Sequence, residues 1–181
     1  MYIGIALLNQ KLYFDFERKK IMELWDAYDR NFKKIEGITL IRGEESSIPK
    51  GIYHMVVLIL VRHVDGQYLL MRRSPGKAYP LYWEATAGGS VLQGESAIEG
   101  ALRELREETG IIADTLEEKE RFVEDETHSA YYAFVCITSC DKESVILQEG
   151  ETCDYKWADK EEILAMGDDE LLSHTMRKYV I

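Results

Sequence analysis

Residues 89–111, with the sequence GSVLQGESAIEGALRELREETGI, contain the strongest structural signal in the chain. Their second half predicts a helix over residues 96–109. Ser96 followed three residues later by Glu99 forms a capping box, and Gly110 stands where a left-handed C-terminal cap is expected. Both ends of this helix are therefore marked by the sequence itself.

Three carboxylates of the predicted helix share one face. Because a helix turns about 100° per residue, Glu104, Glu107 and Glu108 fall within about 100° of arc, and an apolar stripe with Leu102 and Leu105 lies about a quarter turn away. Like charges at these spacings repel by roughly 0.2–0.5 kcal/mol per pair, whereas a hard cation such as Mg²⁺ binds carboxylate and phosphate oxygens. The face predicts a metal site, and the alternative is a solvated acidic surface.

The spacing around these carboxylates separates the two interpretations. From Gly89 through Glu95 to Ile111 the residues follow the pattern Gx5Ex7REUxEExGU, where U is a bulky apolar residue. At average frequencies of about 7% for seven fixed positions and about 30% for two apolar ones, chance agreement is on the order of one in a billion. The pattern resembles the signature of the Nudix family over 23 residues, and a looser likeness runs from about Glu23 to the C-terminus.

The resemblance implies a fold and an activity. The expected fold is of the α/β class, an α/β/α sandwich with a mixed central sheet, with a short N-terminal β extension in this chain. Family enzymes cleave nucleoside diphosphates linked to another moiety. The expectation is therefore a magnesium-dependent pyrophosphohydrolase, with manganese as the alternative metal, acting on a nucleoside diphosphate derivative or a related organic diphosphate.

The resemblance also implies roles for the motif residues. Glu104, Glu107 and Glu108 correspond to metal ligands. Arg103 resembles the arginine that orients a motif glutamate, and Glu95 resembles the glutamate that supports the metal site, often through water. These roles complete a site in which bound cations neutralise charge on the phosphoryl group.

Two parts of this site stay open at the level of sequence. The carbonyl of Gly88 or Gly89 is a candidate for a further metal ligand. The base that accepts the proton of the attacking water is either one of the last two motif glutamates or a residue outside the motif, and Glu149 or Glu151 could reach the site from a loop.

The upstream half is similar to the Nudix branch that contains isopentenyl-diphosphate isomerase, on residues 23–29, 49–54 and 72–77. In that branch Arg73 and Lys77 correspond to a basic pair that binds the diphosphate. They form a compact cationic patch in an acidic chain, which suits phosphate oxygens, although ordinary solvated surface charge is the alternative.

Isomerase activity is a rival prediction, but the residues it needs are missing. The isomerase has a catalytic cysteine just before the glycine that matches Gly89, where this chain has Gly88, and Ser90 replaces a metal-binding histidine. His54 matches another isomerase metal position, or it is a structural histidine that opens a strand. A third hypothesis is a catalytically idle Nudix fold used as a ligand sensor, yet all motif glutamates are present.

Bulk properties narrow the function further. The 181 residues carry a net charge of −11, which repels polymeric phosphate and argues against a nucleic-acid partner, while a small diphosphate substrate could bind at local cations. The longest apolar run, residues 55–61, is too short for a membrane helix, and residues 2–8 do not resemble a secretion signal, so we expect a cytoplasmic protein. Three cysteines without a CxxC pair predict buried free thiols.

We expect one Nudix domain over residues 22–181. Residues 1–21 are interpreted as an N-terminal extension or an extra hairpin, which could pair with a second copy in a homodimer. Further helices are expected at 160–166 and 169–180, and a short extended piece, 83–87, ends at Gly88 and Gly89. Aromatic residues that could stack a nucleobase, or belong to the core, are Tyr79, Tyr82, Trp83, Tyr131, Tyr132 and Trp157.

Overall fold

The structure, a computed structural model, describes residues 23–172 and 174–181. The predicted extension over residues 1–21 lies outside the described residues. The strands are β1 (Leu24–Tyr28), β2 (Lys34–Ile41), β3 (His54–His63), β4 (Tyr68–Arg73), β5 (Trp83–Glu84), β6 (Ala87–Ser90), β7 (Glu117–Glu124), β8 (Ser129–Thr138) and β9 (Thr152–Ala158). The helices are α1 (Ala97–Thr109) and α2 (Lys160–Ala165), with 3-10 turns at Glu45–Ser47, Lys142–Ser144 and His174–Tyr179.

A mixed sheet forms the body of the molecule. Its strand order is β5-β4-β3-β8-β7, with β6 added to β3 and β9 added to β4. Strands β3 and β8 run parallel over ten paired residues, while the other pairs in this sheet are antiparallel. Strand β3 lies inside the sheet and reads as a nearly continuous apolar run, as a strand buried on both faces should.

Both faces of the sheet are covered. On one face Val57 and Ile59 of β3 pack with Leu105 of α1. On the other face Leu60 packs with Ile163 of α2 and with residues of the C-terminal segment. Because successive side chains of a strand point to opposite faces, one strand supplies both cores. The predicted α/β sandwich with a mixed central sheet is confirmed.

Helix α1 begins and ends as its sequence predicts. The backbone amide of Ser96 donates to Oε2 of Glu99 at 2.8 Å, and the amide of Glu99 donates to Oγ of Ser96 at 3.4 Å, which completes the capping box. Gly110 has a φ of 73° and donates its amide to the carbonyl of Arg106 at 2.9 Å. These caps satisfy backbone groups that a helix end leaves free, so the position of the helix is determined locally.

The hairpin of β1 and β2 forms a second, two-stranded sheet with its own small core. It docks at the start of β3, where the ring of Trp25 stacks on His54 with centroids 4.2 Å apart. Backbone bonds between Tyr28 and Tyr53 join the hairpin to the chain before β3. The amide of Gln93, in the segment that leads into α1, donates to the carbonyl of Leu24 at 2.8 Å, so the hairpin also lies beside that segment.

Strand β6 corrects one prediction. The extended piece was expected to end at the two glycines, but β6 runs through both, and Gly88 pairs with Leu58 of β3 while Gly89 pairs with Val57. A Cβ atom at Gly88 would lie 2.6 Å from the carbonyl oxygen of Val57. The glycines therefore allow a close approach of two backbones, which no local pattern reveals.

The C-terminal helix predicted over residues 169–180 is wrong for its first half. Leu171 forms a parallel bridge with Trp83, and the backbone amide of Leu172 donates to the Trp83 carbonyl at 2.8 Å. Backbone used in a bridge cannot continue a helix, and a 3-10 turn follows only at His174–Tyr179. No helix of the described ranges has the length and apolar character needed to cross a membrane.

The cysteines are free, as predicted, but only one is buried. Cys136 lies in the core, Cys140 is partly buried and Cys153 is exposed. Burial raises the pKa of the Cys136 thiol to about 11. Cys153 lies on β9, which among the described strands pairs with β4 alone, and both Cys153 and the adjacent Asp154 are exposed there.

Candidate active site

A cleft of about 370 Å³ opens between α1, the ends of β4 and β6, and the N-terminal hairpin. Its wall is rich in charge, with more carboxylates than cations. The charged residues that line it are Glu23, Arg42, Arg73, Lys77, Glu84, Arg103, Glu104, Glu107, Glu108 and Glu151. The motif glutamates and the predicted basic pair thus meet in one space, although up to 35 residues separate them in sequence.

Three of the glutamates of α1, Glu104, Glu107 and Glu108, line this cleft and differ in exposure. Glu107 is 41% exposed at its side chain, whereas Glu104 is 12% exposed. The Glu104 carboxylate lies directly against Gly89, so closely that a Cβ atom there would overlap it. Glu108 accepts a hydrogen bond from the amide of Gly88 at 3.2 Å. Glu104 and Glu108 therefore contact the two glycines of β6 directly.

Arg103 connects the carboxylates of the motif. Its Nε and Nη2 donate to the two oxygens of Glu95 at 2.8 and 3.0 Å, and its Nη1 donates to Glu104 at 2.7 Å and to Glu107 at 3.3 Å. Nη2 also reaches the carbonyl of Ser90 at 3.0 Å. Burial disfavours the charged guanidinium, but the bonds to Glu95 and Glu104 outweigh it and raise the pKa of Arg103. This planar fork holds the side chains of α1 against β6.

Negative charge is concentrated at the inner end of the cleft. Burial, and then the neighbouring carboxylates of Glu104 and Glu84, raise the pKa of Glu108 to about 8. Burial also raises the pKa of Glu104, against the opposing effect of Arg103. Carboxylates whose charged forms are disfavoured in this way gain stability when a cation shares their site.

The donor set fits a hard divalent cation. With the side chains as positioned, no three His, Cys, Asp or Glu groups of the described residues converge closely enough to hold a metal, and Arg103 holds two of the glutamates. Magnesium does not need such a cage, because it takes one or two carboxylates and completes its shell with water and substrate phosphate. The buried, mutually repelling carboxylates of Glu104 and Glu108 match that requirement.

Arg73 and Lys77 line the cleft from the end of β4 and the loop that follows it. Each is held by a glutamate: Nη1 of Arg73 donates to Glu84 at 2.8 Å, and Lys77 forms an ion pair with Glu151. Their side chains are only 17% and 27% exposed, so they are not ordinary surface cations. Carboxylate partners therefore hold both cations at the cleft wall.

Other predicted site residues lie elsewhere. Glu149 is exposed and is not among the cleft-lining residues of the described ranges, while Glu95 stands behind Arg103. His54 is buried against Trp25, away from the cleft wall. Six aromatic residues were candidates for stacking a nucleobase. Among the described residues that line the cleft, Tyr131 is the one member of this set.

Sequence reasoning missed Glu84 and the pair formed by Glu23 and Arg42. Burial raises the pKa of Glu84, against the influence of Arg73. A charged residue between the apolar Trp83 and Ala85 was the available signal, since a buried charge requires a partner. For Arg42 the sequence offers no such signal, because only the docking of the hairpin brings it to the cleft.

The geometry also bears on the isomerase alternative. The position of Gly88 lacks a thiol, and a Cβ atom there would clash with the Val57 carbonyl. Among the described residues that line the cleft there is no cysteine and no histidine. Ser90 lines the cleft and accepts a bond from Arg103 through its backbone carbonyl.

Comparison with known proteins places the chain in a family. Residues 52–179 match the model of the NUDIX domain. An uncharacterized Nudix hydrolase of Listeria monocytogenes is 33% identical over 147 residues, which cover 80% of this chain and 85% of that protein. The solved structure of a MutT protein from Methanosarcina mazei is 30% identical with a TM-score of 0.54, covering 71% of this chain and 90% of that one.

A structure of DR0079 from Deinococcus radiodurans superposes with a TM-score of 0.64 at 22% identity and covers 87% of this chain and 97% of that one. This likeness extends the shared fold to most of the described residues. The family model matches well over half of the chain, and the Listeria relative covers most of it. The chain therefore belongs to the Nudix family.

Proposed function

We propose that this protein is a magnesium-dependent pyrophosphohydrolase that cleaves the diphosphate linkage of a nucleoside diphosphate derivative or a related organic diphosphate. The observation that carries the proposal is the meeting, in one cleft, of the α1 carboxylates with Arg73 and Lys77. Acidic side chains suited to a cation stand next to basic side chains suited to phosphate oxygens. Relatives named as Nudix hydrolases support the same class of activity.

In this proposal Glu104, Glu107 and Glu108 hold the metal, with the carbonyl of Gly88 or Gly89 as a further ligand. When bound, magnesium supplies positive charge that polarises the phosphoryl oxygens and makes a nearby water more acidic. Manganese could replace it, since both metals accept oxygen ligands.

The remaining residues position the carboxylates of α1 or bind the diphosphate. Arg103, held by Glu95, fixes the α1 carboxylates against β6. Arg73 and Lys77 bind the oxygens of the diphosphate and orient the scissile bond. Because both cations are partly buried, their interaction with phosphate is screened less than that of a surface pair.

The base that accepts the proton of the attacking water belongs to the carboxylates that line the cleft. Glu107 and Glu108 of α1 meet this condition, and so does Glu151, which is paired with Lys77. Binding of phosphate to Lys77 would release Glu151 to act on water. The exposed Glu149 is the weaker choice because it lies outside the cleft lining described.

The test is a substrate panel assayed with magnesium and again after chelation. Nucleoside triphosphates, nucleoside diphosphate sugars, dinucleoside polyphosphates and isopentenyl diphosphate are incubated with the full chain, and released phosphate or nucleotide is measured. We expect turnover that depends on metal, and no double-bond isomer from isopentenyl diphosphate. Glu107→Gln and Glu108→Gln should each reduce kcat by about a hundredfold or more, because each removes charge that the transition state needs.

Glu126→Gln is the matched control, since Glu126 is an exposed glutamate outside the cleft lining. It should keep the rate of the unmodified protein. Tight binding of a diphosphate without any turnover across the panel would contradict the hydrolase proposal and favour a ligand sensor.

A further inference from the structure

Arg42 brings a positive charge to the cleft from outside the matched family domain. It follows β2, ten residues before the segment 52–179 that matches the NUDIX model. The pairing of Leu24 with Ile41 closes the open end of the hairpin, so Glu23 and Arg42 stand side by side there. The Arg42 amide donates to the Glu23 carbonyl at 3.0 Å, and its guanidinium forms an ion pair with the Glu23 carboxylate.

Direct bonds hold this end of the hairpin to the segment before α1. The amide of Gln93 donates to the Leu24 carbonyl at 2.8 Å, and the amide of Gly94 donates to the carboxylate of Asp26 at 3.0 Å. Both donors belong to the loop between β6 and α1. These bonds hold the backbone of the hairpin end, from which Arg42 extends, next to the loop that precedes α1.

Among the described residues that line the cleft, Arg42 has the most exposed cationic side chain. Its side chain is 59% exposed, compared with 17% for Arg73, 27% for Lys77 and 17% for Arg103. The hydrogen bond to Glu23 raises the pKa of Arg42, and the negative fields of Glu151 and Glu104 act in the same direction. Arg42 lines the same cleft as Glu151, the partner of Lys77, and Glu104 of α1.

We propose that Arg42 is a substrate-binding residue that recognises an anionic group beyond the scissile diphosphate, so that preferred substrates carry a third phosphate or an equivalent negative group. The inference rests on the proposed function for the placement of the diphosphate at Arg73 and Lys77. A guanidinium presents donors in a fork that matches phosphate oxygens. Glu23 holds that fork in the free protein and competes with the substrate for it.

The experiment measures binding by calorimetry in magnesium buffer, with inorganic pyrophosphate and inorganic tripolyphosphate as probes. The unmodified chain should bind tripolyphosphate more tightly than pyrophosphate. Arg42→Gln should weaken tripolyphosphate binding by about tenfold or more, because it removes a charge-assisted bond, and change pyrophosphate binding by less than about twofold.

A second variant separates binding from structure, since Glu23→Gln breaks the same ion pair. It removes a competitor of the phosphate, so it should strengthen tripolyphosphate binding. Arg30→Gln is the matched control, because Arg30 is an exposed arginine of the same hairpin, is paired with Asp125 and does not line the cleft. It should leave both affinities unchanged. Thermal unfolding of each variant checks that the fold is retained.

The inference is overturned if Arg42→Gln weakens the binding of both probes equally or has no effect on either. It is also overturned if the unmodified chain does not prefer tripolyphosphate, or if Glu23→Gln binds tripolyphosphate more weakly. If Arg42→Gln does not fold, the direction of the Glu23→Gln effect decides. The result is independent of turnover. A retained preference for tripolyphosphate in a protein that hydrolyses nothing in the magnesium panel would contradict the proposed function alone.

Discussion

The carboxylate of Asp26, on the first strand of the hairpin, accepts a hydrogen bond of 3.0 Å from the backbone amide of Gly94, in the loop before α1. The same Asp26 oxygen accepts a bond from Nζ of Lys34 at 2.7 Å. The side chain of Asp26 is only 6% exposed, so this contact is largely removed from water. It ties the N-terminal hairpin to the loop that joins β6 and α1 within the Nudix motif.

The contact predicts a pH-dependent loss of stability in Asp26→Asn. Burial disfavours the charged carboxylate, but the bonds from Lys34 and Gly94 outweigh it and lower the pKa of Asp26 below its ordinary value of 3.8. A carboxylate with a lowered folded-state pKa stabilises the fold above its unfolded pKa, and the contribution disappears as pH falls through the folded pKa. Urea unfolding at pH 7 should show a loss of about 1–3 kcal/mol, which shrinks below pH 3.8.

Glu36→Gln is the control for this prediction, as Glu36 is an exposed carboxylate of the same hairpin. Its stability should stay close to that of the unmodified protein. An Asp26→Asn deficit that is the same at pH 7 and at pH 3 would show that the charge of Asp26 contributes nothing.

Alanine substitutions at the two glycines of β6 should have different effects, one on stability and the other on activity. In Gly88→Ala the new Cβ meets backbone, the Val57 carbonyl, which cannot move without disturbing β3, so we expect a loss of about 1–3 kcal/mol in unfolding free energy. In Gly89→Ala the new Cβ meets the end of the Glu104 side chain, which can swing away. That variant should fold well but lose about a hundredfold in kcat, because displacing Glu104, a proposed metal ligand, misplaces the reacting groups.

Denaturant unfolding and a turnover assay of both glycine variants check this contrast. A Gly89→Ala protein with full activity would show that Glu104 does not need its observed position. A Gly88→Ala protein as stable as the unmodified one would show that the β3–β6 contact is easily relaxed.

Arg103→Lys tests the fork that organises the motif. Lysine keeps the charge but cannot contact Glu95, Glu104 and the Ser90 carbonyl together as the guanidinium does. We expect kcat to fall by about a hundredfold with a smaller change in KM, since the defect lies in the positioning of the proposed metal ligands. Arg106→Lys, an exposed arginine on the same helix, is the control and should match the unmodified protein. Equal kinetics of the two variants would refute the positioning role.

The identity of the base is tested by comparing Glu151→Gln with Glu149→Gln. Glu151 lines the cleft and pairs with Lys77, whereas Glu149 is exposed outside the described lining. We expect the larger loss of kcat in Glu151→Gln, by about 10²–10⁴-fold if it is the base that accepts the proton. A larger loss in Glu149→Gln would mean that the loop before β9 moves into the cleft during the reaction.

Much of the fold was predictable where the signal is local. The two caps of α1 depend on residues a few positions apart, and both were predicted from such local pairs. Strand β6 and the C-terminal segment were not, because the pairing of Gly88 with Leu58 and of Leu171 with Trp83 depends on distant partners. A local pattern contains no information about which backbone will lie alongside.

The candidate site divides in the same way. The sequence by itself determined that Glu104, Glu107 and Glu108 share a helix face, because helical geometry relates residues three and four apart through the covalent chain. Only the tertiary structure decided which charges meet that face, since sheet register and the docking of the hairpin bring Glu84 and Arg42 to it. Those long-range placements result from packing summed over the whole core, and no short stretch of sequence encodes them.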